Sequence, residues 1–291
     1  MSRKLTNKSN QSRGKIKHGA FRTAASADFY LMENPREVER LELKTDRAVA
    51  EEQLLWAGLR PQMTALEVGC GSGAVTRVMA RVAASKIVVG IDQSPQRVVE
   101  AGRLAASENL QIEFKAGDVY SLPLPDNQFD FVWSRFLFQY LRQPEQAFNE
   151  LVRVTRPGGI VTVADLDGQI EQFHPLDPSL RAELDEALRL LAETGFDTRI
   201  GRKLYYIFFG AGLCDLSVRV TPYQVYSGGV PTAALTNWRL KLETAASHLI
   251  IRTGERARWT RFRDCLMEKL LSPDLFYYCT MIQVRGKVLN H

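Results

Sequence analysis

The sequence predicts an α/β protein whose mostly parallel sheet carries helices on both faces, with a helix ahead of the first strand and a helical elaboration late in the chain. Two observations carry that prediction. Between residues 63 and 164, short apolar runs alternate with amphipathic stretches of ten or so residues, the rhythm of strands that cross over through helices to stay parallel. Within it, Leu66-Glu67-Val68-Gly69-Cys70-Gly71-Ser72-Gly73 is followed 19 residues after Gly73 by Ile91-Asp92, which reads as strand, glycine turn, helix, strand and acidic tip. Three glycines within five residues let the backbone turn sharply and approach a ligand closely, because positive φ costs glycine little and no side chain intervenes. The next helix start offers unpaired amides, and an acidic strand tip suits the two hydroxyls of a ribose. A nucleoside ligand is the first functional inference.

Each element follows in order. Asn34-Pro35-Arg36-Glu37 predicts a helix start: Asn caps, Pro fits the first helical position, and Glu37 reaches back. Val38, Leu41, Thr45, Ala48, Val49 and Leu55 recur at helical spacing, so one helix is expected to run to the stop at Gly58 and Pro61. Strand one is expected over 63–68, a helix over 73–84, strand two over 87–91, a helix from Ser94-Pro95 to about Ser107, and strand three over 111–115. Strand four covers 129–134, a helix covers 144–154 and is closed by Arg156-Pro157-Gly158-Gly159, and strand five covers 160–164. Beyond 165 the rhythm breaks. Asp177-Pro178 opens a helix through Leu191 that Gly195 ends, a second helical stretch reaches Gly212, and strand six covers 216–221. Helices over about 232–251 and 255–271 precede a last strand from Phe276 to Val288. The chain divides into a disordered basic tail of residues 1–22, an N-terminal lid and helix over 23–61, a cofactor-binding core over 62–165, and a completion of the sheet with helical substrate-cap insertions over 166–291.

With 291 residues and 45% hydrophobic content, the chain can bury one large core. Its net charge of +5 is unevenly placed: residues 1–22 hold seven cations and no acid, leaving 31 cations against 33 acids in the remainder. The folded body is near neutral, which disfavours a nucleic-acid groove. The acid-poor tail reads as a solvated leader, with an organelle transit peptide as the alternative. No apolar h-region suggests secretion, and no run approaches the ~18 residues of a membrane span. Cys70, Cys214, Cys265 and Cys279 lie far apart without a C-x-x-C pair, so no metal site is expected and a cytoplasmic setting with reduced thiols is the natural reading.

A dinucleotide site would favour G-x-G-x-x-G. Here Glu67 stands two residues ahead of the turn, where a pyrophosphate would be repelled and a zwitterionic ligand fits better. Four further features follow in order: Asp92 at the end of strand two, Gly117-Asp118-Val119, Pro123-Leu124-Pro125-Asp126-Asn127-Gln128-Phe129-Asp130, and Arg153-Val154-Thr155-Arg156-Pro157-Gly158-Gly159. Over about residues 38–165 the chain thus resembles the class I S-adenosylmethionine-dependent methyltransferases, in particular the small-molecule branch that includes the ubiquinone and menaquinone methyltransferases. The resemblance implies a Rossmann-like sheet of seven strands, the last antiparallel, with a helical elaboration between strands six and seven, and S-adenosyl-L-methionine as cofactor. It implies Glu67, Gly69, Cys70, Gly71 and Gly73 around the methionine portion and ribose, and Asp92 on the ribose hydroxyls with Gln93 beside the adenosine. Gly117, Asp118 and the Val119 amide would meet the adenine, and Ser134 would lie near the methyl group.

Methyl transfer is an in-line displacement whose main demand is alignment and exclusion of water, so catalytic residues are hard to read from sequence. Tyr140, standing where the family often has a histidine, and His174 are the catalytic candidates; His248 lies in the late elaboration. Tyr30, Phe138, Gln139 and His174 are candidate substrate contacts. Phe29, Tyr30 and Met32 read as a lid or as a staple on the first helix, and Tyr205, Tyr206, Phe208 and Phe209 as core or as an aromatic pocket wall. The expected partner is a small-molecule methyl acceptor, an aromatic, prenylated or quinone-like secondary metabolite, with a homo-oligomer as a further expectation. The alternatives are an RNA or protein methyltransferase, for which Arg252, Arg256, Arg258, Arg261 and Arg263 are a basic stretch within the folded body, and a non-catalytic cofactor-binding assembly protein.

Overall fold

The computed structural model describes residues 30–34, 36–84 and 87–289; the basic tail and Phe29 lie outside them. The parallel half of the sheet comprises β1 (Ala65–Val68), β2 (Val88–Asp92), β3 (Glu113–Ala116), β4 (Phe129–Arg135) and β5 (Thr155–Asp167). β1 pairs with both β2 and β4, β3 extends the β2 side, and β5 the β4 side. Crossovers run through α3 (Ala74–Ala83), α4 (Pro95–Ser107) and α5 (Pro144–Val154). β1 and β2 are buried along their whole length, which explains their continuous apolar runs. Beyond β5, β8 (Phe276–Lys287) lies antiparallel, flanked on its other side by β7 (Cys214–Ser227). The α/β sheet with an antiparallel closing strand is therefore as expected. An added two-residue strand, β6 (Phe173–His174), continues along β8 where β5 ends.

The helix starts expected at Ser94 and Asp177 hold, whereas the one expected from an Asn34 cap does not: the first helix begins at Glu37, with Arg36 at its N-terminal boundary and no side-chain capping bond. Ser94 accepts from the Arg97 amide ahead of α4, and Asp177 from Ser179 and Leu180 ahead of α6 (Pro178–Ala192), each with proline in the first turn. The N-terminal helix is different: it is two helices, α1 (Glu37–Leu43) and α2 (Arg47–Ala57). Asp46 splits them, because its carboxylate accepts from the Ala48 and Val49 amides and so caps a new helix. The restart changes the buried face. Ala50, Gln53, Leu54 and Ala57 are buried, whereas Val49 and Leu55, expected on the apolar face, are exposed.

Core side chains of the described residues fall into three clusters. One lies on the α5 face of the sheet, together with α7 (Leu204–Gly210), and one lies under α2 and α3. The third sits against β6 and the start of β8, where α6 packs with α8 (Thr232–Thr253) and α9 (Arg256–Leu271) around Trp238, Trp259 and Tyr277. The elaboration is thus built from both sides of β7 in the chain, since α6 precedes it. Leu31 joins this cluster, so the segment before α1 is fastened to the cap. Among the described residues no helix is long and apolar enough to cross a membrane.

Candidate active site

Strand order reverses between β1 and β4, and in such sheets the carboxyl ends at that point leave a crevice. A cavity of ≈ 310 Å³ occupies it, lined by the glycine turn, the β2 tip, the turn after β3, the end of β4 and residues of the N-terminal segment. The turn is tied to β2: the Gly69 and Cys70 amides donate to the Ile91 carbonyl (2.8 and 2.9 Å), and the Gly71 amide donates to Asp92 Oδ2 (2.8 Å). Gly69 and Gly71 have φ of 77° and 55°. A Cβ on Gly71 would come within 2.7 Å of Leu41 from α1, and one on Gly69 within 3.0 Å of Leu137. The backbone is therefore the wall of the site.

Asp92 is buried. Its Oδ1 accepts from the Ser94 amide and from Arg97 Nε, both at 3.0 Å. A carboxylate has about four lone-pair sites, so these bonds and the one from Gly71 leave Oδ2 able to take a further donor. Arg97 was not anticipated from sequence. It is buried, donates through Nη1 to Glu33 Oε2 (2.6 Å), and holds its guanidinium 4.9 Å from the centre of the Tyr30 ring. A cation in the first turn of a helix opposes the helix dipole, and that was the available signal that Arg97 serves something other than its helix. It joins the N-terminal segment to the β2 tip. Across the mouth, Asp118 Oδ1 accepts from the Tyr120 amide (2.9 Å), forming the turn that presents Gly117 and Val119 to the cavity.

The opposite wall is aromatic and charged. Tyr30 and Tyr140 meet edge to face at 4.9 Å. Tyr30 donates to Glu37 Oε1 (2.7 Å), Glu37 pairs with Arg40 (2.6 Å), and Arg40 Nη1 donates to Asn237 on α8 (3.2 Å), fastening α1 to the cap. Burial holds the Tyr30 and Tyr140 phenols well above their usual range, so both are protonated donors at neutral pH and neither is a ready base. Glu67 lines a small adjoining cavity of ≈ 40 Å³. Burial pushes its carboxyl up to about 7 although Thr76 Oγ1 donates to it (2.5 Å). Asp165, fully buried just past the β4 pairing, is also raised to about 7 by burial, with the Leu166 and Gln139 amides donating to it. Lys44 and Arg135 line both cavities. Lys44, Arg97, Arg135 and Asp165 were all absent from the sequence reading.

Of the candidates named from sequence, Tyr30, Gly69, Gly71, Asp92, Gln93, Gly117, Asp118, Val119 and Tyr140 line the main cavity, and Glu67 and Cys70 the adjoining one. The others are placed elsewhere. Gly73 faces neither cavity: a Cβ there would meet the Phe114 ring at 2.7 Å, so its smallness serves helix packing. Ser134 is wholly buried, with no hydrogen-bond partner for its hydroxyl, and Arg135, one residue on, reaches the site instead. Phe138 is in the core against Phe148, and Gln139 is buried with its amide on Asp165. His174 is exposed on β6, away from the cavity lining, because the chain after β5 runs on along β8 in the same direction instead of crossing the crevice. His248 Nε2 sits 2.8 Å from the Leu31 carbonyl. In the aromatic run only Phe208 is core; Tyr205, Tyr206 and Phe209 are exposed. Met32 is buried.

The mostly parallel sheet with its antiparallel closing strand has the Rossmann-like fold of the class I methyltransferases, and a glycine turn and two acidic turns converge at its switch point. Comparison with known proteins agrees. Residues 66–163 match the family model described as a methyltransferase domain. A 2-methyl-6-phytyl-1,4-hydroquinone methyltransferase of Synechocystis is 36% identical over 138 residues, which cover 45% of this chain and 43% of that protein; the chain spans less than half the length of this relative. Among solved structures, the [4+2]-cyclase SpnF superposes with a TM-score of 0.53 at 23% identity, covering 84% of this chain and 82% of its own. A Haemonchus contortus phosphoethanolamine N-methyltransferase 2, in complex with phosphomonomethylethanolamine and S-adenosylhomocysteine, superposes at 0.56 with 15% identity, covering 87% and 57%. These likenesses show a shared fold.

Proposed function

We propose that the chain is an S-adenosyl-L-methionine-dependent methyltransferase that transfers a methyl group to an O, N or C atom of a small organic molecule. The observation that carries this reading is the convergence of the Gly69–Gly71 backbone, the buried Asp92 carboxylate and the Asp118–Val119 turn on one cavity. These groups fit the cofactor: Asp92 retains acceptor capacity for a ribose hydroxyl, and Asp118 with the Val119 amide offers the acceptor and donor that read an adenine edge. Glu67, uncharged in part when buried alone, would be held ionised by the methionine ammonium. The cofactor supplies a methyl group on a sulfonium, a good leaving group. Tyr30, Leu41 and Tyr140 close the space around it and exclude water.

The hydroquinone methyltransferase relative supports an aromatic, prenylated or quinone-like acceptor. The arginine run across the end of α8 and α9 does not favour RNA, since Arg252, Arg258, Arg261 and Arg263 each face an acid, Glu193, Glu183 or Asp264. A cytoplasmic enzyme, alone or as a homo-oligomer, is the accompanying reading. Because the fold also serves a [4+2]-cyclase, turnover is tested directly. Calorimetry should show S-adenosylmethionine and S-adenosylhomocysteine binding while NAD does not. Labelled cofactor incubated with metabolite extracts should place a new methyl group on a small molecule by mass spectrometry. Preference for NAD overturns the reading, and cofactor binding with no transfer to any extract favours a binding protein.

A further inference from the structure

The inference here rests on the S-adenosylmethionine reading and adds a residue to it. Phe136, the first residue past β4, has φ of 58°. That left-handed conformation costs a bulky side chain far more than glycine or asparagine, and such strain persists where a functional side chain requires it. The turn at Phe136 has two effects. It sets Leu137 against the glycine turn, where a Cβ on Gly69 would come within 3.0 Å of it. It also puts the Phe136 ring in the wall of both the main cavity and the small one that Glu67 lines. Two cations stand on that ring: Lys44 Nζ is 5.0 Å from its centre and the Arg135 guanidinium 4.9 Å. Tyr223 on β7 meets it edge to face at 5.0 Å and holds it from behind. The other contacts of the Arg135 guanidinium are long hydrogen bonds to neutral groups, Gln53 Oε1 (3.3 Å) and Thr45 Oγ1 (3.2 Å). Among the described residues, Lys44 Nζ has no hydrogen bond or ion pair, and the ring is its one close polarised neighbour.

Both cations share the small cavity with Glu67 and the glycine turn, so with the methionine end of the cofactor seated there they face its carboxylate. Until that carboxylate arrives the two like charges repel each other, and the negative face of an aromatic ring offsets the repulsion. A leucine would fill the volume without supplying that face, and a glycine would relieve the backbone without filling the volume. We propose that Phe136 is a positioning residue, whose strained backbone presents the aromatic face that holds Lys44 and Arg135 in place to receive the carboxylate of the cofactor.

The test is calorimetry on the full-length chain with two ligands, S-adenosylhomocysteine and 5′-methylthioadenosine, the second of which lacks the amino-acid end. Failure of both to bind the wild-type chain strikes the cofactor reading itself. In Phe136→Leu the affinity for S-adenosylhomocysteine should fall at least fivefold while that for 5′-methylthioadenosine stays within twofold. Phe136→Tyr, which keeps the aromatic face, should restore the wild-type ratio of the two. In a chain already carrying Lys44→Met and Arg135→Met, adding Phe136→Leu should cost S-adenosylhomocysteine no more than a further twofold, because the ring acts through those side chains. A merely structural role moves both ligands together, so an equal loss for the two overturns the proposal. Unchanged S-adenosylhomocysteine affinity in Phe136→Leu does so as well, as does an undiminished loss in the chain without the two cations. Should Phe136→Leu not fold, Phe136→Gly, which removes the strain, is read by the same ratio.

Discussion

Asp92→Asn removes the charge at the β2 tip while keeping its shape. In the structure the carboxylate holds three donors: the Gly71 amide at 2.8 Å, and the Ser94 amide and Arg97 Nε at 3.0 Å. A hydrogen bond to a charged acceptor contributes about 1.5–3 kcal/mol against about 0.5–1.5 for a neutral one. The ribose contact should therefore weaken by roughly 1–2 kcal/mol, a loss of about 5- to 30-fold at 1.4 kcal/mol per decade. Stability should fall as well, but by less than the roughly 3–5 kcal/mol of a stranded buried charge, because Arg97 keeps Glu33, whose side chain is half exposed. The two effects are read separately, the first by calorimetry with S-adenosylhomocysteine below the melting transition and the second by thermal unfolding without ligand. An affinity within twofold of wild type in a folded variant would refute the assignment of Asp92 to the ribose.

Gly73→Ala should act on the fold and spare the cofactor: φ is 73° and the new Cβ would meet Phe114 at 2.7 Å and Ala101 at 3.1 Å, costing about 2–4 kcal/mol from backbone and overpacking together. Urea unfolding measures that cost, and S-adenosylhomocysteine affinity of the folded fraction should stay within threefold; a selective loss of affinity would return Gly73 to the site. Asp165→Asn tests the buried carboxyl. With a native value near 7 against 3.8 for the exposed group, the folded state takes up the proton first. The wild-type advantage over the variant is then full below pH 4 and declines as pH rises to 7, by about 1.4 kcal/mol per unit. Unfolding free energies at pH 5 and 7.5 should show the difference shrinking, and a constant difference contradicts burial as the cause. His174→Ala should leave methyl transfer within twofold in a turnover assay, since the side chain is exposed away from the cavity; a tenfold fall would reinstate it.

The glycine turn and Asp92 were legible because strand, turn, helix and strand are contiguous over residues 66–92 and their geometry is set by local backbone freedom and capping. Helix starts at Ser94 and Asp177 were legible for the same reason. Asp46 carried an equally local signal, and its cap is what divides α1 from α2; helical spacing of apolar residues across it concealed the break. His174 misled because position after a strand says nothing about which way the chain turns.

What the sequence determined by itself is the sheet, the turn and the acidic strand tip, features whose physics lies within a few residues of one another. The tertiary structure alone decided which side chains share the cavity and what their charges are worth. Lys44 and Arg135 stand on one Phe136 ring though 91 positions separate them, and α6, α8 and α9 form one cap from segments on both sides of β7. Periodicity shows that a face is buried without showing against what. The weight of a charge depends on burial and on the distance to its partner, and both come into being only when the chain is folded.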